Sequence, residues 1–199
     1  MFKFWIGNEF PIDLILDLGN YSLFCLIFYY FFEKKYIDGY FLSLICILML
    51  TPFMFNNMYI DWKLSPDQSK YLSLSHSLRN EFQLFNFERF NNLGQLKVYI
   101  TGYIFAISPT LNLETFKSIA FFNRFLLVGT SFFLFKKKKI DANLVLITFL
   151  SPSLTYFSSV TLREILILVL MIWVINFFLE KKNIFLLIIL ILLFLIKAQ

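Results

Sequence analysis

Residues 118–139, SIAFFNRFLLVGTSFFLFKKKK, carry one charge, Arg124, before four consecutive lysines. An apolar run of nearly 20 residues closing on a basic cluster is the pattern of a helix that crosses a bilayer and exits on the cytoplasmic side. Working outward from it, comparable apolar segments lie near 12–32, 39–58, 142–158, 163–179 and 183–197, each bounded by charge or turn chemistry. Composition agrees, because 59% of the 199 residues are hydrophobic and mean hydropathy is +0.71, above the roughly 45–50% apolar share of soluble domains. The expectation is an all-α, polytopic transmembrane protein. It has one transmembrane domain over 1–199, with about six spans and an external amphipathic or re-entrant segment.

The first apolar run starts after Pro11, lacks a small-x-small cleavage pattern and closes at Glu33-Lys34-Lys35, so it reads as a retained helix and not a cleaved signal peptide. The last run ends almost at Gln199, where a larger membrane protein would continue, so an N-terminal portion of a longer chain is expected. Residues 97–112, LKVYITGYIFAISPTL, are apolar but short of a full span, and Pro109 breaks their end. If they cross, Lys34-Lys35 falls on the side opposite Lys136–Lys139 and Lys181-Lys182. If they lie in the outer interface, all three lysine clusters share the cytoplasmic side, and the basic-loop rule favours this arrangement.

The net charge of +5 is therefore a record of orientation. The basic residues sit at the ends of apolar segments and form no solvated stripe, which argues against a nucleic-acid partner. Cys25 and Cys46 lie inside apolar runs with no disulfide or metal spacing, and His76 stands alone, so neither a metal site nor a cofactor is expected.

The one sizeable polar stretch, within an external loop over 59–96, is YIDWKLSPDQSKYLSLSHSLRNEFQLFNFERFNN (residues 59–92). Ser65-Pro66-Asp67 carries helix-start chemistry. From there Tyr71, Leu72, Leu74 and Leu78 recur at helical spacing while Lys70, Ser73, Ser77 and Asn80 turn elsewhere, predicting a short amphipathic helix suited to a membrane surface.

Pro66-Asp67-Gln68-Ser69-Lys70-Tyr71, with an amphipathic run ending in Leu78-Arg79, resembles the first external loop of GT-C membrane glycosyltransferases. These enzymes use polyprenyl-phosphate sugars and include the protein O-mannosyltransferases and aminoarabinose transferases. Their Asp-Glu-x-x-Tyr pattern meets Gln68 here in place of Glu. Tyr99 to Leu111, Asn123-Arg124-Phe125-Leu126 and Lys136–Lys139 are similar in order and spacing to the elements that follow, so the resemblance covers roughly residues 55 to 180. It implies a multi-pass protein of the bacterial inner (plasma) membrane that transfers a sugar from a lipid-linked donor on the external face. Asp67 would be the base, and Tyr71 and Arg79 would contact substrate. The chemistry needs both a proton acceptor for the acceptor hydroxyl and positive charge at the leaving phosphate. Asp67 is equally a first-turn residue that satisfies free backbone N–H groups.

Two further places bear on the donor phosphate. Arg124 lies 12 residues before Lys136, about 18 Å from the cytoplasmic end. It either holds a lipid phosphate or snorkels to head groups or pairs with a buried acid such as Asp17. Ser158-Ser159-Val160-Thr161-Leu162-Arg163-Glu164, after a helix bearing Pro152, puts Arg163 and Glu164 on the same face as Asp67. There they either engage phosphate and sugar or serve as an interface anchor and a first-turn acid. Alternatives to a transferase are a polymerase of the O-antigen or exopolysaccharide type, a non-catalytic membrane subunit, or a transporter. Only 6 Gly and 5 Pro, and no apparent inverted repeat, speak against the transporter.

Overall fold

The computed structural model describes residues 10–54, 66–80 and 96–197, and every element among them is a helix. In chain order these are α1 (Phe10–Glu33), α2 (Gly39–Leu48), α3 (Thr51–Met54), α4 (Pro66–Asn80), α5 (Leu96–Ala106), α6 (Phe116–Lys136), α7 (Ala142–Leu150), α8 (Pro152–Ser158), α9 (Glu164–Leu179) and α10 (Asn183–Lys197).

Among the described residues two helices are long and apolar enough to cross a membrane: Ile12–Glu33 within α1, and α6. The other four expected spans do not reach that length among the described residues, and two of them fail for a visible reason. The 39–58 segment breaks after Leu48 and restarts at Thr51-Pro52, and the 142–158 segment breaks at Ser151-Pro152. Proline has no N–H for the helix ladder and its ring clashes with the carbonyl four residues back, so it is tolerated only where a helix begins anew. Helices α9 and α10 are unbroken, but their 16 and 15 residues reach only about 22–24 Å. Helix α5, with 11 residues, is about 16 Å long and too short to cross, and it ends where Pro109 forbids continuation.

Helix α6 is the hub. Helices α1, α3, α4, α7, α8 and α9 all pack on it, and its residues from Lys117 to Arg124 are all buried. Phe24 of α1 stacks on Phe125 with centroids 4.8 Å apart, and Phe53 of α3 meets Phe121 edge-on at 5.0 Å. The outward faces carry large bare apolar side chains, among them Ile12 and Ile15 on α1 and Ile184, Leu187 and Phe194 on α10. Water would leave such faces exposed at a cost, whereas lipid would not.

Helices α6–α7–α8 repeat the plan of α1–α2–α3. Each unit is a long helix, a lysine stop (Lys34-Lys35 or Lys136–Lys139), an Ile-Asp pair whose Asp (Asp38 or Asp141) N-caps a short apolar helix, a Thr/Ser-Pro break, and a short final helix. The stops share one geometry. Lys35, Lys138 and Lys181 have φ of 59°, 55° and 56°. After each of them the next N–H reaches back five residues, Tyr36 to Phe31, Lys139 to Leu134 and Lys182 to Phe177. This is the Schellman cap, in which a left-handed residue turns the chain out of the helix.

Candidate functional site

The two long helices run in the same direction. Lys117 near the start of α6 pairs with Asp17 at 2.8 Å, and Phe125 further along meets Phe24 and Phe28. At the far ends Phe31, Tyr36, Lys136 and Lys137 line one cavity. The first two lysine clusters therefore meet at one end of the bundle. The third joins them through Glu180, which lies 2.8 Å from Lys182, 3.3 Å from Lys137 and 3.9 Å from Lys139. Glu180 is held below its ordinary carboxylate value, first by the hydrogen bond from Lys182 and then by Lys137.

The opposite end, where α6 begins, carries the polar chemistry. The 158–163 loop between α8 and α9 is tied down along its whole length. Asn123 Nδ2 donates to the carbonyls of Val160 (2.9 Å) and Leu162 (2.8 Å), Thr161 Oγ1 donates to the Phe116 carbonyl, and Ser159 Oγ reaches Thr51 Oγ1 at 2.8 Å. Gln68 Oε1 of α4 then accepts the Thr161 N–H at 2.9 Å, docking the first turn of α4 on this loop. The Gln that departs from the Asp-Glu pattern is thus buried and bound, leaving its neighbour Asp67 exposed, 3.4 Å from Lys70.

That docking brings three of the other expected residues near Tyr71. Its phenol is buried against Phe105. Burial pushes its pKa up to about 12, with the Arg163 guanidinium pulling it down and the Asp67 and Glu164 carboxylates pushing it further up. Asp67, Arg163 and Glu164 are therefore all within electrostatic reach of one hydroxyl that stays protonated at neutral pH. Glu164 is exposed in the first turn of α9, and Arg163 sends Nη1 to the Ile196 carbonyl at 3.2 Å, tying the end of α10 to the start of α9.

Arg79 and Arg124 lie elsewhere. Arg79 spends its guanidinium on the end of α5: Nε donates to the Ala106 carbonyl (2.7 Å), Nη1 to that of Thr110 (2.9 Å) and Nη2 to that of Ser108 (2.5 Å). Each of its three nitrogens is held by the fold. Arg124 is wholly buried beneath the 158–163 loop, with Nε on the Leu48 carbonyl (3.1 Å) and Nη1 on Ser158 Oγ (2.8 Å), while Nη2 has no hydrogen-bond partner among the described residues. It neither snorkels nor pairs with Asp17, whose carboxylate takes Lys117 and the Thr115 hydroxyl. It joins the break after α2 in the first repeat to the end of α8 in the second. The amphipathic face of α4 packs on α5, with Leu74 against Gly102 and Tyr71 and Leu78 buried. Ser65, the expected capping residue, and positions 55–58 of the second expected span lie outside the described residues.

Sequence reading missed Asn123 and Gln68, which fix the loop. The available signal was an Asn inside an apolar run, since a polar amide there needs partners. His76 lies 3.2 Å from Glu114, and Cys25 and Cys46 are free thiols. No protein-family model, curated protein or solved structure matches the chain.

Proposed function

We propose that the chain is embedded in a membrane with its lysine end cytoplasmic, and that the Tyr71 cluster at the other end transfers a sugar from a polyprenyl-phosphate donor. The observation that carries this reading is the docking of Gln68 on Thr161, which leaves Asp67 open to solvent beside Tyr71, Arg163 and Glu164. In this reading the α2–α3, α7–α8, α9 and α10 segments complete six passes. They are shorter than the hydrocarbon thickness, and their terminal lysines and local bilayer thinning accommodate the mismatch. Asp67 takes the proton of the acceptor hydroxyl as that oxygen bonds to the anomeric carbon. The bond from that carbon to the phosphate oxygen breaks, and Arg163 balances the charge on the departing polyprenyl phosphate. Arg124 is a buried cation held below the site.

Membranes carrying Asp67→Asn at wild-type abundance are expected to lose roughly 10²–10⁴-fold in transfer from a radiolabelled polyprenyl-phosphate sugar. Unchanged transfer would remove Asp67 from the mechanism. A transport reading is favoured by one observation, the paired Thr51-Pro52 and Ser151-Pro152 breaks in corresponding positions of two parallel repeats. It predicts substrate flux that survives Asp67→Asn and falls with Ser158→Ala.

A further inference from the structure

On the lysine side of the bundle, α1 and α9 flank α6 without closing over it, leaving a cavity of about 590 Å³. This is within the roughly 300–1,000 Å³ of ligand sites. Its walls include Phe28, Phe125, Val169 and Trp173, and Lys136 and Lys137 stand at its rim. A glycine opens it: Gly129 lies in the wall, and a Cβ built there would meet nothing within 4 Å. A mid-helix glycine gives up roughly 0.5–1 kcal/mol relative to alanine, and no close helix packing at this position requires it.

We infer that this cavity is a binding site for one chain of an anionic phospholipid from the cytoplasmic leaflet, with the lipid phosphate held at Lys136. Charge selects the occupant. Lys137 is committed to Glu180 and lies 4.6 Å from the Phe133 ring centroid. Lys136 is exposed and makes no ion pair among the described residues, at the level where a phosphate would sit above an inserted chain. Among the described residues eight lysines stand around this end against Glu33, Asp38, Asp141 and Glu180, so a zwitterionic lipid would leave the excess uncompensated. The inference rests on the membrane-embedded reading but not on sugar transfer, and it fails or stands without Asp67.

Trp173 in the cavity wall supplies the reporter. In the full-length chain with Trp5→Phe and Trp62→Phe, reconstituted in phosphatidylcholine, its fluorescence is titrated with phosphatidylglycerol or phosphatidylcholine brominated on identical acyl chains. The expected result is about a fivefold preference for the anionic lipid, equivalent to the ~1 kcal/mol of one lysine near an anionic head group. Lys136→Gln should abolish the preference by removing the charge. Gly129→Leu should abolish it by filling the cavity, with an unchanged melting temperature showing that the fold persists. Equal quenching by the two lipids would overturn the inference, as would a preference that survives Gly129→Leu, which would place the lipid on the lysines alone. Absence of quenching by either would mean that protein, from a second copy or another segment, fills the cavity.

Discussion

Arg79 and Arg124 show how one residue type serves two ends. Arg79 is a fork closing a helix terminus, where carbonyls lack intrahelical partners. Arg79→Ala is expected to cost about 1–3 kcal/mol by stranding the carbonyls of Ala106, Ser108 and Thr110. Arg79→Lys should recover little of it, read as the melting temperature in detergent, because an ammonium cannot reproduce the planar fork. Among the described residues Arg124 has no carboxylate partner and one idle nitrogen, so its burial is a cost that folding alone does not explain. Arg124→Met is therefore expected to leave thermal stability unchanged or raised, whereas Ser158→Ala should lower it by about 1–3 kcal/mol by stranding a second nitrogen. A large destabilisation by Arg124→Met would make the arginine a purely structural tie. The expense of Arg124 was legible in the sequence. Its partners were not, because Leu48 contributes a backbone carbonyl, freed only by a helix break that no side chain of Leu48 announces.

At the scale of elements, the packing of α4 on α5 and the lysine caps carry the informative geometry. Helix α4 was legible from its spacing and from Pro66, but its partner was not. Period alone says that a face is apolar, and the bare approach at Gly102 is what selects α5 over lipid. A Cβ there would stand 2.6 Å from Leu74 Cδ2, so Gly102→Ala should cost about 1–3 kcal/mol as an overpacked contact. Adding Leu74→Ala should cost less than the sum of the two single changes, in a double-mutant cycle read by thermal unfolding. The breaks inside the 39–58 and 142–158 segments were concealed for a different reason. Continuous apolar runs have no period to interrupt, and only Pro52 and Pro152 mark where the ladder stops. The three caps place lysine where backbone energetics prefer glycine, at roughly 1–2 kcal/mol for the left-handed conformation. Lys138→Gly is accordingly expected to stabilise the folded chain by up to about 1 kcal/mol, read as the melting temperature in detergent.

Across the whole molecule, Lys34-Lys35, Lys136–Lys139 and Lys181-Lys182 gather at one end. Glu180 ties two of these clusters together, and its pKa lies below the ordinary value of 4.5 in the folded chain. A depressed carboxylate contributes stability that is complete above the unfolded value and lost as pH falls through the folded one. Melting temperature should therefore hold between pH 7 and 5 and decline below 4.5, and Glu180→Gln should flatten that decline. The helical class was legible from composition. The number of full-length crossings was not, because hydropathy counts apolar residues without registering where proline divides them. The central claim, a bundle with every lysine cluster on the cytoplasmic face and the Asp67 cluster on the other, is tested most directly by sidedness. Single cysteines at Lys34, Lys138, Lys181 and Lys70, in a Cys25→Ala/Cys46→Ala background, would be exposed to an impermeant maleimide in intact cells and in inverted vesicles. The account predicts that the first three label only in inverted vesicles and Lys70→Cys only in intact cells; labelling of any lysine-cluster position from the same side as Lys70→Cys would contradict it.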